Sequence, residues 1–392
     1  MMHWLKEKYQ CPILAFVADV GQGEDLEAAE KKAYQTGAET VVISDLRDVF
    51  VRDFVFPAMQ AHALYEGEYL MGTSLARPVI AREQVRVARD WGAEAVAHGA
   101  TGKGNDQVRF ELTYQALAPE LKILAPWRSW DFQGRSDLIQ YAQDQDIPIS
   151  SSQEKPYSID QNLMHTSYEG GILEDPWQAP PEDIFLRTVS PQQAPDSAIE
   201  VVIEFEAGVP VKLNEKELEP VALLEELNLV AGANGVGRVD LVENRMVGMK
   251  SRGVYETPAV TVLHKAHRAL ESLTLDREVQ HLKEDLAPRI AELIYYGFWF
   301  APEMELLLQT IRSSQERVTG KVRMQLYKGN CIVCGRSSPY SLYDPSYATF
   351  EADDVYTQAD AEGFIRLQGL RLQIGTLLKQ SQENPLTDKT PQ

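Results

Sequence analysis

The chain has only three cysteines in 392 residues, Cys11, Cys331 and Cys334, which is too few for a disulfide framework and fits a reducing compartment. No apolar run approaches the roughly 18 residues of a membrane span, and the first residues lack the long apolar stretch of a secretory leader. The expectation is a cytoplasmic protein with no membrane partner. Basic residues are also scarce, 38 Lys and Arg against 58 Asp and Glu, and the resulting formal charge of −20 with no basic block argues against a nucleic-acid surface. An anionic ligand would have to be held by local donors working against that field. Internal repeats, low-complexity tracts and an evident Ser-His-Asp or Cys-His set are missing as well. Cys331-x-x-Cys334 without a second ligand pair is a weak zinc signal, and its alternation reads as a strand, so no protein-bound metal is expected.

What remains is ordinary globular composition, 44% hydrophobic and 24% charged, at a length that suggests two domains and an appended arm. After an amphipathic helix at 1–9, strands at 13–19, 40–44, 95–97 and 122–125 alternate with helices at 26–34, 51–64, 77–91, 106–116 and 136–143. That order predicts an α/β fold with a doubly wound parallel sheet, ligands gathering at the carboxyl ends of its strands. From Ser150 the prolines multiply and helical period fades, which predicts a long connection. Strands at 201–205, 209–213 and 239–249, helices at 221–227, 261–273, 288–296 and 304–318, and a hairpin at 322–336 then predict an α+β second domain. Pro288 suits a first helical position. A helix at 361–378 has an apolar side that needs another surface. The expected division is 1–150, 151–360 and 361–392.

The stretch from His98 to Asp106, His-Gly-Ala-Thr-Gly-Lys-Gly-Asn-Asp, carries three glycines just before a helix, where backbone N–H groups can face an anion. It is no Walker A loop, because Gly104 stands where that motif needs Ser or Thr. Thr101, Lys103, Asn105, Asp106 and Arg109 mix donors, acceptors and both charges, which suits a zwitterion better than a bare phosphate.

Taken in order with Ala63-Leu-Tyr-Glu66, Gly72-Thr-Ser-Leu-Ala-Arg-Pro78, Lys155-Pro-Tyr-Ser158, Glu169-Gly-Gly-Ile-Leu-Glu-Asp175, Gly235-Val-Gly-Arg238, Val242-Glu-Asn-Arg245 and Ser251-Arg-Gly-Val-Tyr-Glu-Thr-Pro258, this loop resembles the argininosuccinate synthase family. The resemblance runs from about Trp4 to beyond Tyr343. It implies an adenine nucleotide alpha hydrolase-like first domain, a synthetase domain and a C-terminal oligomerisation helix. The implied reaction is ATP-dependent ligation of citrulline and aspartate through a citrullyl-adenylate. It also implies Mg2+ accompanying ATP, and a homotetramer. By the same resemblance, Ala18 and Gly99 would touch ATP, and Thr101, Asn105 and Asp106 would hold aspartate. Tyr69, Ser74, Asn105, Arg109, Ser158, Ser167, Glu243 and Tyr255 would surround citrulline. No residue is assigned as general base or otherwise catalytic. His98 reads equally well as a structural histidine.

The family pattern opens with a strand and a Ser-Gly-Gly-Leu-Asp-Thr-Ser pyrophosphate loop, and 1–9 matches the helix that follows them. The expectation is therefore a chain lacking that strand and loop, with doubtful activity as written. The alternative is a non-catalytic citrulline- or aspartate-binding homologue or subunit.

Overall fold

The computed structural model describes residues 1–102, 104–132, 134–147, 157–349, 355 and 357–383. It divides into two compact units, Met1–Ser341 and Leu342–Gln392. In the first, α1 (Met2–Tyr9) leads to β1 (Leu14–Asp19), α2 (Leu26–Gln35) and β2 (Thr40–Asp45). The Asp25 carboxylate caps α2 by accepting from Ala28 N at 3.0 Å. A helical run follows as α3 (Arg47–Phe50), a π turn over Val51–Val55 and α4 (Phe56–Gln60). The run ends in a turn where His62 takes a positive φ of 51°, and Tyr65 and Tyr69 then pair across a tight bridge.

Next come α5 (Gly72–Trp91), β3 (Ala95–Ala97), α6 (Asn105–Leu117), β4 (Lys122–Leu124) and α7 (Arg135–Asp144). β1 pairs with β2 and β3 with β4, both parallel, so each helix between them is a crossover of the expected α/β kind. The two parallel pairs are separate ladders. Helix α5 begins at Gly72, five residues before the predicted start, and runs through Pro78. Having no N–H, Pro78 leaves the carbonyl of Ser74 without its intrahelical donor.

The proline-rich connection holds more structure than predicted. Within it β5 (Ser158–Gln161) and β6 (Thr166–Glu169) form a hairpin that docks on β11 (Lys250–Glu256), which pairs in turn with β10 (Arg238–Asn244). These strands were illegible because β6 buries Thr166 and Ser167 rather than an alternating apolar set. The predicted strand at 239–249 is β10 plus the turn into β11, with Gly248 at φ 90°.

A second antiparallel sheet, ordered β13-β12-β7-β8-β9, uses β7 (Ile199–Glu206), β8 (Val209–Leu213), β9 (Lys216–Glu217), β12 (Gly320–Tyr327) and β13 (Asn330–Ser337). Val201, Ile203 and Phe205 of β7 and Val322, Met324 and Leu326 of β12 alternate onto its buried face. They share one core with α8 (Pro220–Ala233), α9 (Pro258–Thr274), α10 (Arg277–Tyr296), α11 (Pro302–Gln315) and the Phe50–Phe56 region. Burying each of these large side chains stabilises the fold by about 1.5–3 kcal/mol.

Pro288 lies inside α10 and not at its first position, because the helix starts eleven residues earlier, where Asp276 caps Glu278 N at 2.9 Å. The carbonyl this proline leaves unbonded belongs to the exposed Glu284, where water can satisfy it. The β12–β13 hairpin turns at Lys328 and Gly329, both at positive φ, as a two-residue loop requires. Cys331 is buried and Cys334 exposed, on opposite faces of β13, so the two thiols do not converge.

In the second unit, α12 (Asp360–Glu383) exposes Phe364, Leu367, Leu370, Leu372, Ile374 and Leu377. No helix among the described residues is long and apolar enough to cross a membrane.

Candidate functional site

The glycine loop is pinned by its own backbone. Gly104 N donates to Thr101 O at 3.2 Å, and the Gln107 side chain reaches back to Gly102 O at 2.7 Å. Helix α6 therefore starts at Asn105 with Gly104 extended before it, and its first N–H groups lie behind the loop. Thr101 and Gly99 are exposed, while Ala18 is half-buried near the end of β1. Ala18 and Gly99 thus lie at the carboxyl ends of β1 and β3, where the fold places ligands. Lys103 lies outside the described residues, as do Lys155 and Pro156. His98 is buried, receives Ala100 N on Nδ1 at 3.3 Å and so donates from Nε2 to Glu111 at 2.9 Å, a structural arrangement.

Behind the loop lies an alternating array of charge. Asp106 accepts from Arg109 Nη1 at 2.8 Å through one oxygen and from Arg77 Nε at 3.0 Å through the other. Arg77 extends the array by donating to Asp160 at 2.7 Å, and Arg109 donates from Nε to the carbonyl of Tyr295 at 3.0 Å. Burial would raise the pKa of Asp106, but the two guanidinium groups outweigh it and hold the carboxyl below its ordinary value. Gly297 makes this packing possible, since a Cβ there would lie 2.8 Å from the Arg109 Cα.

The residues expected around citrulline converge on an aromatic box. Tyr69 stacks on Tyr255 with centroids 4.1 Å apart, and Tyr255 donates its hydroxyl to Glu243 at 2.9 Å. The other oxygen of Glu243 and the nearby Tyr295 hydroxyl make no well-aligned bond. Glu243 is buried, which raises its pKa, while the tyrosine hydroxyls pull the other way. Ser167 pairs directly with Tyr255 across β6 and β11. Ser74, fully buried at the start of α5, has an unpartnered hydroxyl, and so does the Asn105 side-chain oxygen. Ser158 is exposed at the head of β5 and makes none of these contacts.

Four further residues complete the site and went unassigned from the sequence: Thr73, Arg77, Asp160 and His165. Thr73 donates to Asp160 at 2.9 Å and lies 2.9 Å from His165 Nε2. Thr73 and Arg77 stand inside the motif at 72–78, and helical spacing puts them one turn apart on one face. For Asp160 and His165 no local pattern exists.

A second buried polar cluster lies elsewhere in the same unit. His62 Nε2 is 3.0 Å from His267 Nδ1 and 3.1 Å from Glu271, with Gln315 bonded to both His267 and Glu271. His62, His267 and Glu271 could in principle ligate a cation, their ligand atoms lying within 4.8 Å of one another. The Lys283 ammonium, 3.0 Å from the same carboxylate, already supplies the positive charge.

Two domain families match this chain, the Arginosuccinate synthase N-terminal HUP domain over residues 1–148 and the Arginosuccinate synthase C-terminal domain over residues 157–375. The chain is 59% identical over 381 residues to the argininosuccinate synthase of Syntrophus aciditrophicus, covering 97% of this chain and 95% of that protein. It is 58% identical over 378 residues to that of Desulfatibacillum aliphaticivorans, covering 96% and 94%. With that of Rhodospirillum rubrum it shares 56% over 383 residues, covering 97% and 95%. The expected lack of a leading strand and pyrophosphate loop is not shown by these matches, since the HUP domain aligns from residue 1.

Proposed function

The chain belongs to the argininosuccinate synthase family, and from that premise we propose that it joins citrulline to aspartate at the expense of ATP, yielding argininosuccinate, AMP and pyrophosphate for arginine biosynthesis. One observation carries the reading. Of the eight buried side-chain polar atoms without a well-aligned bond among the described residues, three belong to Ser74, Asn105 and His165, and two more to Glu243 and Tyr295, which lie near each other. Buried polar groups are rarely left unpaired, so their concentration beside an arginine array marks a place where a polar ligand completes the bonding. A zwitterionic amino acid fits, with a carboxylate for Arg109 and an ammonium for Glu243.

In this reading citrulline lies against the stacked Tyr69–Tyr255 pair, with Ser74, Asn105, Arg109, Ser158, Ser167 and Glu243 around it. Aspartate takes Thr101, Asn105 and Asp106, and ATP, as its Mg2+ complex, meets Ala18 and Gly99. The citrulline ureido oxygen attacks the α-phosphate and pyrophosphate departs. The aspartate amine then adds to the activated carbon, AMP leaves with the oxygen, and the amine gives up a proton. Positioning and fixed charge do most of this work, and no protein nucleophile is needed. The non-catalytic alternative has no support from relatives that match along nearly their whole length. The test is chromatography of nucleotides after incubation with ATP, citrulline and aspartate. AMP formed only when both amino acids are present is expected, and ADP as the product would sink the reading.

Arg109→Ala should raise the citrulline concentration needed for half-maximal rate by one to two decades, since a charge-assisted contact is worth about 1.5–3 kcal/mol. ATP saturation should change little. Arg109→Lys should rescue poorly, because a point charge cannot serve Asp106, the Tyr295 carbonyl and a carboxylate together. Unchanged citrulline curves would remove Arg109 from the site.

We further propose the division 1–150, 151–360 and 361–392, a cytoplasmic location, and a homotetramer in which the apolar side of α12 is covered by another subunit. A chain ending at Gly363 should then show a smaller assembly by light scattering. A monomeric full-length chain would refute this.

A further inference from the structure

We propose that His165 is a positioning residue for the ureido group of citrulline, acting as a neutral acceptor whose tautomer is fixed from behind. The inference rests on the reading of the site given above. Asp160 accepts from Arg77 at 2.7 Å and from the Thr73 hydroxyl at 2.9 Å, both at Oδ2. The Thr73 hydroxyl has one proton, and that proton is committed to the carboxylate. Toward His165 Nε2, 2.9 Å away, the same oxygen can only accept. The imidazole proton is therefore on Nε2, and Nδ1 carries a bare lone pair.

That lone pair is buried and has no partner among the described residues. The ring cannot relieve it by taking up a second proton, because burial and the neighbouring Arg187 and Arg77 push its pKa down to about 3. It cannot rotate away either, since it is pressed on Gly72, where a Cβ would lie 2.4 Å from the imidazole. The ring lies 6.1 Å from Tyr255 and 6.3 Å from Tyr69, the stacked pair beside which the proposed function puts citrulline. An acceptor held in this state asks for an N–H donor. The ureido group of citrulline offers one on the NH2 that flanks its reactive oxygen.

The consequence is orientation. A ureido group is planar, and a half-turn exchanges its NH2 and its oxygen at nearly no cost in shape. Accepting the NH2 at Nδ1 selects the rotamer in which the oxygen is left for the α-phosphate. Losing that selection should lower the rate of adenylation and leave binding of the zwitterionic end untouched.

The experiment is citrulline-dependent exchange of labelled pyrophosphate into ATP without aspartate, which reads the adenylation step alone, run beside full turnover to AMP. For His165→Leu we expect kcat for exchange to fall roughly 10–100-fold, the range for a reacting group held out of line, with KM for citrulline within about threefold of the parent. His165→Asn, which restores an acceptor near Nδ1, should recover part of the loss. Thr73→Val removes the tautomer lock while leaving the imidazole in place and should lower kcat, and Thr73→Ser should keep it. This second pair decides the matter if His165→Leu does not fold. Parental kcat in His165→Leu or in Thr73→Val, or a rise in KM with kcat unchanged, overturns the inference while the ligase reading stands. A parent with no citrulline-dependent AMP overturns the ligase reading, and this inference with it.

Discussion

Replacing Asp106 with Ala is expected to cost about 3–5 kcal/mol of stability and to reduce ligation by on the order of 100-fold or more. Its carboxylate is shared by Arg77 and Arg109, taking Arg109 on one oxygen and Arg77 on the other. Both arginine side chains are largely buried, at 17% and 6% exposed. Without Asp106, Arg77 keeps its ion pair with Asp160, while Arg109 keeps the Tyr295 carbonyl and the face of the Tyr295 ring but no directly bonded carboxylate among the described residues, so its guanidinium charge is left buried without an ion-pair partner. The double variant with Arg109→Ala should lose less than the sum of the two single losses, because the stranded charge goes with it. Denaturant unfolding of the four proteins measures this. An Asp106→Ala midpoint within 1 kcal/mol of the parent would show that water reaches these charges and that the array is not a buried one.

The second large effect is acid sensitivity. Two buried histidines, His165 and His267, and two half-buried ones, His62 and His264, have pKa values below the ordinary 6.5, loss of hydration being the leading cause in each case. His264 is lowered to about 4 and His165 to about 3. The unfolded chain takes up protons at these rings near pH 6.5, and the folded chain does not until much lower pH. Stability from these rings is therefore complete well above pH 6.5 and is lost as pH falls toward the folded values, approaching about 1.4 kcal/mol per pH unit for His264 and for His165. His62 and His267 add in the same direction. Glu243, whose pKa is raised, works the other way as a single group. Unfolding midpoints should drop steeply between pH 7 and pH 5, and equal midpoints at those two values would contradict the account.

The sequence disclosed what depends on neighbours in the chain. The alternation of strands and helices before residue 147, the helix start at Asn105 and the hairpin at Lys328 are short-range facts, set by period, caps and turn residues. The family resemblance assigns Asp106 and Arg109 to different ligands and does not anticipate their mutual ion pair, although three residues on a helix put them on one face. The sequence could not reveal that Asp160 would receive Thr73 and Arg77, which come from 87 and 83 residues away. Nor could it show that His165 Nδ1 lacks a partner among the described residues, since that depends on everything packed around it. Pro288 misled for a related reason: a proline marks a helix start only when no stronger cap lies upstream, and here Asp276 caps a helix that starts eleven residues earlier. The hairpin of β5 and β6 went unseen because two of the three buried side chains of β6, Thr166 and Ser167, are polar, and hydrophobic period is blind to them.

The carbonyl that steadies Arg109 belongs to Tyr295, 186 residues further along the chain. On the ribosome, which adds ~5–20 residues per second, that interval is roughly 10–40 s. Throughout it the first half of the protein carries an arginine, a glycine loop and half of an aromatic box whose other walls have not been made. The substrate pocket is therefore among the last places in this molecule to acquire its shape. A chain released before Tyr295 emerges would lack the carbonyl and ring that steady Arg109.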